Sequence, residues 1–323
     1  MPSYSGVWNL VSQYQAVASG NWPVPPPTGD LAVFAGGSIA GAFVNTIDYM
    51  SVSSLGNAQD FGDLVSAVYL VGACSSSTRG VFASGYNGTV GYTNNVIQYI
   101  TIATAGNALD FGDLTVGRDN PAGLSNSTRG VFGGGNNYPT YLNIIDYITI
   151  ATTGNATDFG DLITLATELV SVNSTTRGVF MGGWDVNVGR SNVIQYVTIA
   201  STGNATDFGD MTATRSNGNH GVVCSSTRGL YMGGVLTGST SNTIDYITIA
   251  STGNSTDFGD LTIAKDNNGG GCNAPRGISA GGDNRTNVME YVTIATTGNA
   301  TDFGDLTQAR YGLAGCSSAH GGL

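Results

Sequence analysis

The tetrad Asp-Phe-Gly-Asp occurs six times, beginning at Asp60, Asp110, Asp158, Asp207, Asp257 and Asp302, at intervals of 50, 48, 49, 50 and 45 residues. A strand-like segment precedes each copy: "IDYMSV" from Ile47, "IQYITI" from Ile97, "IDYITI" from Ile145, "IQYVTI" from Ile194, "IDYITI" from Ile244 and "MEYVTI" from Met289. A second signature follows: "STRGVFASG" from Ser77, "STRGVFGGG" from Ser127, "TTRGVFMGG" from Thr175, "STRGLYMGG" from Ser226, and the degenerate "APRGISAGG" from Ala274. Such a period marks a chain that stacks one supersecondary unit on copies of itself, because no single unit covers its own apolar surface.

Each unit reads as four short strands. Strand a is Ser/Thr-rich at its end, a T-R-G turn leads into strand b, a variable loop follows, then strand c and, across a T-T-G-N turn, strand d with the tetrad. Gly-Asn beside a β-branched run is hairpin chemistry, since both residues tolerate positive φ. In strand c, alternation puts Ile145, Tyr147 and Thr149 on one face and Asp146, Ile148 and Ile150 on the other. Both faces carry apolar groups, so the strand is covered on both sides. Neighbouring sheets supply that cover, and the glycine pairs after strand b suit close packing between them.

Composition agrees and narrows the function. Of 323 residues 10% are charged and 49 are Gly, with Lys265 the only lysine; such a chain is turn-rich and β-rich. The net charge of −11 argues against binding a phosphate backbone. No apolar run reaches the roughly 18 residues of a membrane-spanning helix. The first residues lack the basic start and compact apolar stretch of a signal peptide.

Four-stranded sheets repeated around an axis describe an all-β, six-bladed β-propeller. The unit resembles kelch repeats: the Gly134-Gly135 pair, Tyr147, the aromatic Phe159, then a basic residue at Arg118, Arg215, Lys265 or Arg310, with Phe where kelch units usually carry Trp. The chain enters at strand b ("LAVFAGG") and leaves through strand a sequence ("RYGLAGCSSAHGG"), so the C-terminal strand is expected to complete the first blade and close the ring. The expected domains are an extended arm with a Pro-rich linker over 1–29 and the propeller over 30–323.

If the strands alternate in direction, the a–b and c–d turns share one face and the b–c and d–a loops share the other. The first set is nearly uniform, whereas the second varies. Tyr86, Tyr92, Tyr138, Tyr141 and Trp184 fall in the variable loops, where aromatics stack on sugars or anchor protein contacts. The arm carries Tyr4, Trp8, Tyr14 and Trp22 ahead of "WPVPPPT" and reads as a partner-docking segment.

The repeated D-x-x-D invites a metal. Calcium needs about six to eight converging oxygens, and residues three apart on a strand face opposite sides unless a bulge intervenes. The preferred reading is structural: the first Asp accepts backbone N–H groups at the turn, and the second pairs with a repeated Arg or caps the strand. Cys74, Cys224, Cys272 and Cys316, at the ends of strands a, read as buried free thiols too far apart for disulfides. His220 and His320 hold unrelated positions, with His320 in the slot of the T-R-G Arg, and nothing singles out a triad. No catalytic residue, cofactor or metal site is assigned.

The "TIATTGNATDFGDLT" unit also resembles kelch-like repeats in virion structural proteins of tailed phages, notably those of marine cyanobacteria. That resemblance implies a non-enzymatic fibre, tail or capsid decoration, multimeric on the particle. Its arm would dock on other virion proteins, and its propeller would meet a host-surface glycan or protein. Two alternatives are a secreted or cell-surface glycan-binding propeller and a hydrolase or oxidase on a propeller scaffold.

Overall fold

The computed structural model describes residues 29–88, 94–217, 222–283 and 286–323. The arm, with Tyr4, Trp8, Tyr14 and Trp22, lies outside the described residues, as do Tyr92 and His220. The described chain is all-β, built from many small antiparallel sheets, an arrangement compatible with a propeller. Five main sheets have four strands in the order a-b-c-d. In the third these are Ala122–Ser125, Arg129–Gly133, Ile144–Thr149 and Thr157–Asp161. In the fifth sheet, strand a is reduced to a single bridge, Cys224 to Gly229. The first sheet joins distant parts of the chain, as expected: Ala314–Ser317 pairs with Leu31–Ala35, Val33 opposite Cys316.

Strand c is buried on both faces. Ile145 joins an apolar cluster with Val179, Phe180 and Ile194 of the fourth sheet. Ile148 and Ile150 join another with Phe111 and Leu114 of the second. In all six sheets the tetrad Phe meets the strand c Tyr edge to face, as in Tyr147–Phe159 at 6.0 Å.

The T-R-G motif requires a correction. Its Arg and Gly are the first residues of strand b, and the turn lies before them. Arg129 lies over the Tyr147 ring, 4.3 Å from its centroid, and donates to Ile199 O of the following sheet at 2.8 Å. The Gly supplies space. A Cβ on Gly130 would lie 2.5 Å from Cys74 Sγ of the preceding sheet, and the same place is filled by Leu124 at Gly178 and Val223 at Gly277. Between the sixth and first sheets the sizes are redistributed, with Gly271 facing Ala32.

The tetrads also depart from expectation. A bulge sets Asp146 opposite Asp158 and Ile145 opposite Gly160, leaving Phe159 unpaired. The first Asp of each tetrad is exposed, and no tetrad Asp forms an ion pair among the described residues. The joint is made by backbone and by the Asn of the next T-G-N turn: Asn204 Oδ1 accepts from Asp161 N, and Ala205 N donates to Asp161 O. The turn thus covers the outer edge of the preceding strand d. Gly160 allows this approach, since its φ is 147° and a Cβ there would lie 2.5 Å from Gly203 O. Asn57 and Asp305 repeat the bond between the first and sixth sheets.

The basic residues after the tetrads pair instead with strand c of the next sheet: Arg118 with Asp146 at 3.0 Å, Arg215 with Asp245, Lys265 with Glu290 at 3.0 Å and Arg310 with Asp48 at 3.2 Å, every side chain almost wholly buried. Where strand c carries Gln98 or Gln195, the preceding slot holds Val68 or Ala166, and the Gln side chain accepts from the backbone of Val65 or Ile163. Burial lowers the pKa of Arg118, Lys265 and Arg310 against the pull of their carboxylate partners.

The four cysteines are buried and unpaired, but Cys224 and Cys272 lie closer than expected, with Cys272 Sγ 3.2 Å from Cys224 O. His320 does not occupy the Arg slot. It turns inward, buried, to Ser75 O, Ser125 Oγ and Asn173 Nδ2 on strands a of the second, third and fourth sheets.

Candidate functional site

The b–c and d–a loops converge. Each b–c hairpin bonds to the d–a segment before its own sheet: Tyr69 exchanges backbone bonds with Tyr86 and Asp119 with Asn136, and Thr167 pairs with Trp184. The d–a segments in turn contact one another. Leu70 N donates to Gly312 O, Asn120 N to Leu70 O, Asn217 N to Glu168 O and Gly312 N to Asn267 O. Leu70, Asn120, Glu168, Asn267 and Gly312 occupy equivalent places with φ between 53° and 66°. Asn and Gly accept this conformation readily, whereas Leu and Glu enter it rarely.

Between these loops opens a cavity of about 500 Å³. Tyr86, Tyr138, Tyr141 and Trp184, four of the five loop aromatics singled out in the sequence, all line it. Tyr138 is 64% exposed at the rim. Tyr69 is fixed beneath by Phe43, stacked at 5.4 Å and 9°, and by Tyr311 edge to face at 5.8 Å. Arg190 lies over Trp184 at 5.2 Å.

Sequence reasoning missed the cavity's polar groups, Asp119, Asn120, Asn136, Thr167 and Glu168. The first two follow directly from the paired base Arg118, whose bond to Asp146 anchors the segment they sit on. The signal available was the tripeptide ending in Asn or Gly after a basic residue, at Arg118, Arg215, Lys265 and Arg310, together with its two departures at Leu70 and Glu168.

The site is acidic. Burial, reinforced by the negative charge of Glu168, pushes the Asp119 carboxyl up to about 7, although Asn136 bonds to it. Burial first, then Asp283 and Glu168, pushes Asp266 to about 7. Tyr69 is held well above its ordinary pKa, chiefly by burial. Thr167 Oγ1 is buried and has no hydrogen-bond partner among the described residues, on a residue that is 5% exposed. Among the described residues no three His, Cys, Asp or Glu side chains are grouped to hold a metal ion. Rings at several angles, amides, carboxylates and a free hydroxyl equip the cavity to stack on a ligand and hydrogen-bond its edge.

No protein-family model matches the chain, and no curated protein does either.

Proposed function

We propose that the six sheets are the blades of a six-bladed β-propeller, closed where Ala314–Ser317 joins Leu31–Ala35, and that the protein is a non-enzymatic recognition module. The observation that carries this reading is the gathering of Tyr86, Tyr138, Tyr141 and Trp184 in one cavity, on loops that differ from unit to unit above a repeated scaffold. Inter-sheet bonds support the closure, since Arg276 Nη1 donates to Val52 O as Arg79 Nη1 does to Ile150 O.

In this reading the module decorates a tailed-phage particle as a fibre, tail or capsid protein. Residues 1–29 hold it there, and the cavity meets a glycan or protein of the host surface. The kelch-like and phage-like repeat sequence and the aromatic, Pro-rich arm are its support. A glycan array with the wild-type chain, Trp184→Ala and Tyr138→Ala tests the recognition function. Saturable binding lost in both variants is expected, and binding indifferent to both substitutions overturns it. Deleting residues 1–28 should leave the melting temperature unchanged and abolish incorporation into particles; a truncated chain that still incorporates removes the anchoring role.

A further inference from the structure

Building on the recognition reading, we propose that the loop-face cavity takes a cationic organic group, a protonated amine carried on a sugar-sized body, with Glu168 and Asp119 as its counter-charges and the Tyr and Trp rings as its walls.

Charge, shape and an unused donor converge on this ligand. Among the described residues the cavity lining carries two carboxylates and no basic side chain. Of the cations nearest in sequence, Arg118 is buried against Asp146, and Arg190 stacks on the lining ring of Trp184 without itself being a lining residue. Glu168 is close enough to Asp119 and Asp266 to raise both, so negative charge gathers at this end among the described residues. An anionic ligand would meet that charge unfavourably, whereas a cation relieves it and gains from the faces of neighbouring aromatic rings.

The acids alone would not define a site. Thr167 supplies the independent feature, a buried hydroxyl on a lining residue with no partner among the described residues. Buried polar atoms are normally satisfied, and one without a partner on a residue of a cavity wall marks a place for a ligand atom. Thr167 carries both donor and acceptor capacity, which suits a sugar hydroxyl. Glu168 points the same way. It holds a left-handed φ of 58° at a place that Asn120, Asn267 and Gly312 fill in other segments and that only Leu70 shares among non-Asn, non-Gly residues, so a charged side chain is carried there against the backbone preference. A volume of about 500 Å³ accommodates a monosaccharide-sized group.

The test is a ligand-observed NMR titration of the full chain at low ionic strength with glucosamine, N-acetylglucosamine and glucose. Glucosamine should bind at least about tenfold more tightly than either neutral sugar. Glu168→Gln with Asp119→Asn should remove that preference, and Thr167→Val, a near-isosteric change at an unpartnered hydroxyl, should weaken binding without lowering the melting temperature. Neutral sugars bound as tightly as glucosamine and lost in Trp184→Ala would overturn the cationic assignment and leave the recognition reading standing. A glucosamine preference that survives the double carboxylate variant would also overturn it. Absence of binding by all three sugars, with no glycan captured on the array, would overturn both.

Discussion

Arg310 Nη2 and Asp48 Oδ2 lie 3.2 Å apart, both side chains fully buried, although they stand near opposite ends of the described chain. The same bond links Arg118 to Asp146. Where it is missing, both partners change together, to Val68 with Gln98 and to Ala166 with Gln195. A buried ion pair is costly to break from one side, because the remaining charge is left uncompensated, by about 3–5 kcal/mol. Arg118→Val alone should therefore destabilise by about that amount. Arg118→Val combined with Asp146→Gln reproduces the Val68–Gln98 slot, in which Gln98 Oε1 accepts from Val65 N at 2.8 Å. The double variant should recover to within about 1 kcal/mol of wild type in urea unfolding. A double variant no better than the single one would show that the pair is not the exchangeable unit.

The tetrads lead to an expectation that runs against their appearance. Asp158 is exposed and neither it nor Asp161 has an ion-pair partner among the described residues, so Asp158→Ala with Asp161→Ala should change stability by no more than about 0.5 kcal/mol. Asn204→Ala removes the acceptor from Asp161 N and should cost about 1 kcal/mol. Gly160→Ala should cost more than either, about 2–3 kcal/mol, because its Cβ collides with backbone in a conformation that L-residues avoid. Calorimetric melting of the three variants ranks them. If the Asp pair proved the most damaging, the joint would belong to the carboxylates after all.

How far the sequence could be read follows from the range of each interaction. The strand order, the sheet assembled from Leu31–Ala35 and Ala314–Ser317, and the grouping of the variable loops depend on periodicity and on neighbours in the chain. They were legible. The bases and acids were visible too, but twelve of the 22 acids lie in tetrads and drew the pairing toward themselves. The true partners sit in the next unit, and only the joint change of Arg118/Asp146 into Val68/Gln98 reveals them. The aromatics of the cavity could be picked out because they interrupt a polar loop. Asp119 and Glu168 could not, because their importance comes from burial, and neither residue stands out in a chain with 22 acids.

Gly130 and Cys74 offer a separate check on how the sheets nest. A Cβ at residue 130 would fall 2.5 Å from Cys74 Sγ, so Gly130→Ala should destabilise by about 1–3 kcal/mol through overpacking. Adding Cys74→Gly imitates the Gly271–Ala32 contact between the sixth and first sheets and should return most of the loss. Equal melting temperatures for the single and double variants would mean that the T-R-G glycine is required for a reason other than space.

His320 makes the fold sensitive to acid in a defined window. Its Nδ1 faces two donors, Asn173 Nδ2 at 3.2 Å and Gly322 N at 3.1 Å, so Nδ1 is the acceptor and Nε2–H donates to Ser75 O at 3.2 Å. Protonation would set a third N–H against two others, and burial pushes the pKa from 6.5 down to about 4. Between those values the unfolded chain binds the proton and the folded one does not. The contribution of neutral His320 is therefore complete above about pH 6.5 and declines as pH falls toward 4. Asp119 and Asp266 act with the opposite sign, since their raised pKa values favour the fold as pH falls from 7 toward 4. The wild-type profile mixes the two, and the comparison with His320→Gln separates them. From pH 7.5 to 4.5, wild type should lose on the order of 2–3 kcal/mol relative to His320→Gln. Denaturant midpoints of both chains at the two pH values measure the difference. Parallel profiles would mean that His320 is already charged in the fold or titrates as it does in the unfolded chain, and that its three contacts do not hold the imidazole neutral.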